Sequence, residues 1–166
     1  MKTIYLAGGC FWGTQKFFDQ FNGVTRTETG YANGKTENPT YEQVRYRGTD
    51  HAETVKIEFD ESVISTEKLL GYYFMTIDPL SVDRQGGDAG RQYRTGIYYT
   101  DPSLRADIDR AVRAEEEKAG SPLAVEVMPL KNFYRAEEYH QKYLDKNPGG
   151  YCHIPSGLLN LAEKNK

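Results

Sequence analysis

Thr3-Ile4-Tyr5-Leu6-Ala7-Gly8-Gly9-Cys10-Phe11-Trp12-Gly13 is the stretch on which the fold turns. Residues 3–7 form an apolar run of strand length that stops on two glycines. The next segment, Thr14 to Phe21, sets Phe17, Phe18 and Phe21 at i, i+1 and i+4, the spacing of one helix face. A strand that turns through a glycine corner straight into a helix belongs to a domain of mixed layers.

Outward from there the alternation continues. Val24 to Tyr31 reads as a strand, and Ala32 to Pro39 is turn chemistry. Val55, Ile57 and Phe59 alternate with Thr54, Lys56 and Glu58, the pattern of a strand with unlike faces. Ser65 or Thr66 caps a helix with Leu69, Leu70, Tyr73, Phe74 and Ile77 inward, and Asp78-Pro79 stops it. Arg84 to Arg91 is a polar, glycine-rich loop, and Gly96 to Tyr99 resumes a strand. Asp101-Pro102 opens a helix with Leu104, Ile108 and Val112 inward and Gly120 beyond its end. Val125 to Met128 is a short strand. Arg135 to Lys146 is expected as a polar helix presenting Tyr139 and Tyr143, ended by Asn147-Pro148-Gly149-Gly150. Tyr151 to Lys166 lacks periodicity and is expected to lie as a tail over the surface. The sum is one two-layer mixed α/β domain over residues 1–166, with residues 146–166 as its tail.

The 166 residues suit one domain, and 38% hydrophobic content is enough for a core. With 21 Lys+Arg against 24 Asp+Glu there is no basic footprint for nucleic acid or anionic lipid. No apolar run approaches the ~20 residues of a membrane helix, and the N-terminal stretch is too short for a signal-peptide core. A reducing cytoplasm is the expected compartment. Two cysteines make no disulfide scaffold, and no CxxC, HxxxH or HExxH spacing points to metal. The thiols therefore matter through reactivity or not at all. The other oddities are a single Trp and 13 Tyr.

Cys10 stands behind two glycines at the start of a helix. Unpaired N–H groups and the positive end of the dipole there favour thiolate, the nucleophilic form. Trp12 beside it reads as an exposed apolar wall, and Phe11 as either wall or core. His51 reads as turn support, while His140 and His153 read as surface residues.

Gly9-Cys10-Phe11-Trp12-Gly13 resembles the signature of the methionine sulfoxide reductase A family. The resemblance continues through Gly30-Tyr31, Asn38-Pro39-Thr40-Tyr41, His51-Ala52-Glu53, Gln92-Tyr93-Arg94 and Asn147-Pro148-Gly149-Gly150-Tyr151-Cys152, so it spans nearly the whole chain. It implies an α+β two-layer sandwich with a ferredoxin-like core, a mixed sheet and long peripheral coils. It also implies thiol-dependent reduction of methionine (S)-sulfoxide, free or in proteins. Cys10 is then the nucleophile, Glu53 the acid that protonates the sulfoxide oxygen, and Tyr41 and Tyr93 its hydrogen-bonding partners. Asp88 matches an acidic position of the substrate loop, and Phe11 and Trp12 match the pocket for the S-methyl group. Cys152 matches the resolving thiol, which condenses with the Cys10 sulfenic acid to a disulfide. Thioredoxin is the implied external reductant, with no metal and no bound cofactor.

Two other classes compete. Acyl transfer by Cys10 needs His51 or His140 as general base and leaves Cys152 idle. A binding module needs only the Trp12 pocket. Thiol loss on exposure to a sulfoxide separates all three.

Overall fold

The computed structural model describes residues 1–159 and residue 161; residues 160 and 162–166 of the expected tail lie outside the described residues. The elements, in order, are β1 (Lys2–Ala7), α1 (Phe11–Asp19), β2 (Val24–Ala32), α2 (Tyr41–Tyr46), β3 (Ala52–Phe59) and α3 (Thr66–Met75). Next come the small strands β4 (Arg84–Gln85) and β5 (Asp88–Ala89), then β6 (Gly96–Tyr99), α4 (Arg105–Ala119), β7 (Glu126–Pro129) and β8 (Phe133–Arg135). Two short helices, α5 (Tyr143–Lys146) and α6 (Ser156–Leu159), follow.

Among the described residues, six strands form one sheet in the order β7-β6-β1-β3-β2-β8. Pairing is antiparallel throughout except between β6 and β7, so the sheet is mixed. The side-chain period of two sorts its faces. Ile4, Leu6, Val55, Ile57, Phe59, Ile97 and Tyr99 share a core with Phe17 and Phe18 of α1 and Leu69, Leu70 and Tyr73 of α3. Tyr5, Ala7, Ala32, Ala52 and Tyr98 point the other way and are covered by Met128, Leu130 and Phe133.

Local chemistry explains most boundaries. The Ser65 side chain accepts the Lys68 N–H at the start of α3, and Asp101 accepts the Ser103 N–H ahead of α4. Gly120 closes α4 in the left-handed conformation. Thr40 and Gln43 form a reciprocal capping box that starts α2, a helix too short for its periodicity to be read.

Three expectations are corrected. Residues 135–146 are not one helix: β8 ends at Arg135, a 3-10 turn spans Glu138–His140, and α5 begins only at Tyr143. Gln141 breaks the run by turning inward, where its side chain accepts the Thr29 N–H and donates to the Thr29 and Ala136 carbonyls. The polar loop at 84–91 contains the β4–β5 hairpin. The tail does not merely lie over the surface, because Ile154 is buried in the core.

Candidate active site

The register of the sheet assembles the site. β1 ends at Ala7, opposite Thr54 of β3 and Gly96 of β6. One residue further along β3 is Glu53, paired with Tyr31 of β2 and on the same face as Val55. The chain then turns at Gly9, whose φ of +76° suits glycine, and enters α1 with Cys10 as its N-cap. A β-carbon at Gly9 would also stand 2.9 Å from His153 Nε2. The Gly9 N–H donates to the Tyr93 carbonyl at 3.2 Å, which draws the 3-10 turn Arg91–Tyr93 against the cysteine corner. Beneath that turn, buried Arg94 donates to Glu126 Oε1 at 2.7 Å and to the carbonyls of Arg91 and Asn33.

Glu53 is 1% exposed, and its Oε1 accepts the Phe11 N–H of α1 at 3.2 Å. Burial raises its pKa to about 8; the Phe11 bond opposes the rise and the Asp88 charge adds to it. A carboxyl group in this position is largely protonated at neutral pH.

Cys10 is 7% exposed and free. Here the expectation from the helix N-terminus is overturned. Burial, followed by the neighbouring Glu53 charge, pushes the thiol well above its usual value, and the Trp12 N–H lowers it too little to compensate. A dipole end worth a fraction of a charge loses to desolvation of a whole thiolate. The resting group is a thiol.

Tyr41 opens α2 and Tyr93 closes the 3-10 turn. Burial, followed by the Glu53 charge, raises both phenols, so both remain protonated hydrogen-bond donors. Asp88 lies on β5, and its Oδ2 accepts the Tyr151 hydroxyl at 3.1 Å. Its charge acts on Cys10, Glu53 and Tyr93.

The two aromatics after Cys10 divide. Phe11 is 1% exposed and packs on Tyr31 and His140, with ring centroids 5.7 and 5.2 Å away. Trp12 remains half-buried, stacked on Tyr143 at 3.7 Å, with its Nε1–H donating to His140 Nδ1 at 2.9 Å. Cys152 is half-buried and free, its Sγ against Gly13 of α1. Gly13 is three residues, or roughly 4.5 Å of helix rise, beyond Cys10.

Several residues that shape the site were not read from the sequence. His140 is buried rather than on the surface, and His153 packs against the Gly9 corner. Glu137 accepts the Tyr41 N–H at 2.9 Å and the Tyr31 hydroxyl at 2.8 Å. The one usable signal for His140 was the lone indole, whose N–H needs an acceptor when it is partly buried. His51 does support a turn: its Nδ1 accepts the Gly34 N–H, and its Nε2 meets the Thr36 carbonyl at 2.7 Å. Among the described residues no group of three or more His, Cys, Asp or Glu could hold a metal ion.

Comparison with known proteins agrees with this geometry. The family model described as peptide methionine sulfoxide reductase matches residues 2–165. The chain is 57% identical over 162 residues to a protein of Lachnoclostridium phytofermentans named peptide methionine sulfoxide reductase MsrA, covering 98% of each chain. Among solved structures, reduced Mxr1 of Saccharomyces cerevisiae superposes with a TM-score of 0.87 at 36% identity, over 93% of this chain and 91% of that one. Methionine sulfoxide reductase A of Corynebacterium diphtheriae gives 0.83 at 35% identity, over 93% and 82%. With the match spanning nearly the whole chain, the chain belongs to the peptide methionine sulfoxide reductase family.

Proposed function

We propose that this chain reduces methionine sulfoxide, free or in proteins, to methionine, acting on the S epimer at sulfur. One observation carries the reading: a buried thiol, Cys10, beside a carboxyl group held protonated, Glu53, with a second free thiol, Cys152, against Gly13 of the same helix.

The chemistry balances on these groups. Cys10 sulfur attacks the sulfoxide sulfur while the oxygen is protonated by Glu53 and hydrogen-bonded by Tyr41 and Tyr93. The attack joins the two sulfurs, and as the protonated oxygen passes to the Cys10 sulfur the S–O and S–S bonds to methionine break, so methionine leaves and Cys10 becomes a sulfenic acid. The net step consumes no proton: the hydrogen given by Glu53 stays on the sulfenic acid and the thiol hydrogen returns to Glu53. A resting thiol is therefore compatible with the reaction. Half-buried Trp12 supplies the wall for the S-methyl group, with Phe11 beneath it. Cys152 then attacks the sulfenic acid, releasing water and forming the Cys10–Cys152 disulfide.

An external dithiol, thioredoxin in this reading, returns both thiols by exchange. Its point of attack is Cys152, which lines an open groove of about 220 Å³ with Lys16, Leu144, Asp145, Pro148, Gly150 and Leu159. Cys10 is closed off by comparison. No bound cofactor enters the cycle.

The same reading takes residues 1–166 as one catalytic domain with residues 146–166 as its resolving tail, working in the cytoplasm. Among the described residues no helix is long and apolar enough to cross a membrane. A ferredoxin-like core is supported by β1, β2, β3 and β6, which lie in the order β6-β1-β3-β2, all antiparallel.

The test is stoichiometric. Reduced protein mixed with methionine (S)-sulfoxide should yield one methionine and lose both thiols; unchanged thiols and substrate overturn the proposal. C152S should still form one methionine and then stall with thioredoxin.

A further inference from the structure

We propose that His140 is a positioning residue for the reductase reaction: by accepting the Trp12 Nε1–H it fixes the indole that walls the substrate pocket. The inference rests on Trp12 as that wall.

The geometry is specific. His140 is 1% exposed and reaches Trp12 with Nδ1 at 2.9 Å across a large separation in sequence. Tyr143 stacks on the indole at 3.7 Å with 10° between planes, so the ring is held by its face and by its N–H together. His140 also packs on Tyr41 at 4.5 Å and on Phe11 at 5.2 Å. One imidazole therefore touches both residues assigned to the pocket, Phe11 and Trp12, and Tyr41 beside them.

The tautomer carries the argument further. An Nδ1 that accepts is unprotonated, so the neutral ring has its hydrogen on Nε2. That Nε2 is buried and finds no partner among the described residues. Packing alone would select Phe or Leu here, which fill such a space without stranding a donor. The imidazole provides what they lack, an acceptor for the indole. Burial lowers its pKa to about 4, which keeps Nδ1 able to accept across the neutral range.

The test compares H140L, which has no acceptor, with H140N, whose side-chain oxygen can take the place of Nδ1. Pre-reduced enzyme is assayed on methionine (S)-sulfoxide for KM and kcat separately. H140L should raise KM about tenfold, the lower range for misfit of one apolar group, with a smaller fall in kcat. H140N should recover most of that loss. Because Trp12 is the only Trp, acrylamide quenching reports the same wall: H140L should expose it and H140N should not. Equal KM in H140L and wild type, or equal impairment in H140L and H140N, overturns the proposal. If H140L does not fold, proton NMR of the wild type decides: an indole N–H that exchanges as fast as free tryptophan overturns it, and strong protection supports it. W12A separates the layers. An unchanged KM in W12A sinks the wall itself, whereas a raised KM there beside a normal one in H140L sinks only the role of His140.

Discussion

Cys152 Sγ rests on Gly13, where a methyl group would stand 2.7 Å from the sulfur and 3.3 Å from Ile154 Cδ1. The second thiol is thus docked, as a free thiol, on the helix that Cys10 caps. Gly13 is a residue of α1, and what the docked sulfur requires at that position is the absence of a side chain.

Substituting G13A should therefore separate the two halves of the cycle. The new methyl group displaces Cys152, and a misplacement of ~1 Å can slow a reaction by as much as about 100-fold. The first methionine should appear at close to the normal rate, while disulfide formation slows at least several-fold. Rapid quenching with parallel counts of methionine and free thiols reads both. Helix propensity favours Ala over Gly by ~1 kcal/mol, so a slower second step is not a sign of a weakened helix. Thiol loss as fast as in wild type would take the docked position off the reaction path.

The acid assigned to Glu53 has a direct pH signature. Its pKa of about 8 leaves it protonated below that value and ionised above it. The single-turnover rate of methionine formation should fall as pH rises through this region. E53Q cannot give up an acid proton, so it should slow the step by about 100-fold or more, the usual worth of general acid catalysis. Its residual rate should lack the limb near the Glu53 pKa. A wild-type limb that survives in E53Q belongs to another group, and not to Cys10, because losing the thiol proton gives thiolate, the better nucleophile, and would raise the rate.

Linkage gives the same residue an effect on stability. The folded pKa is raised above the unfolded value, so the native state holds a proton that the unfolded chain releases. The contribution is fully favourable below the unfolded pKa of about 4.3, and it is lost as pH rises to the folded value of about 8. Thermal melts of wild type should therefore decline over this window more steeply than those of E53Q. The variant should be the more stable protein on the alkaline side. Parallel melting curves across the window would show that Glu53 is not a buried neutral acid.

Much of this arrangement was legible in the residues. The glycine corner, the Val55–Ile57–Phe59 alternation and the caps at Ser65, Asp101 and Gly120 each act over a few residues, and each appears as expected. What escaped was set by packing between distant segments. Glu53 looks like any glutamate before a strand until β1 and β2 close over it. His140, Glu137 and Gln141 break the expected helix because their partners, Trp12, Tyr41 and Thr29, lie elsewhere in the chain. The Cys10 environment misled for the same reason: a helix N-terminus is local, whereas burial is not. Some of the tyrosine excess now has a physical cause. Tyr73 donates to the Ala7 carbonyl and accepts the Gly96 N–H, tying two strand ends together. Tyr98 donates to Glu126, and Tyr143 backs the indole.

Tyr151 supplies the last prediction. It precedes Cys152, is 49% exposed, and donates its hydroxyl to Asp88 Oδ2 at 3.1 Å. That bond fastens the segment carrying Cys152 to the β4–β5 hairpin, on which Asp88 sits. A hydrogen bond of this kind contributes about 0.5–1.5 kcal/mol, and partial exposure places this one at the lower end. Y151F removes only the hydroxyl, so it should reduce the docked fraction of Cys152 and slow disulfide formation by about two- to fivefold. D88N keeps an acceptor for the same hydroxyl but removes the charge near Glu53, so it should lower the Glu53 pKa and leave the resolving rate nearer to normal. Measuring the two variants for resolving rate and for the pH limb of the first step places Asp88 in both roles or in one. If Y151F resolves at the wild-type rate, the segment is held by Ile154 in the core and by Cys152 on Gly13, and the hydroxyl contributes nothing to the cycle.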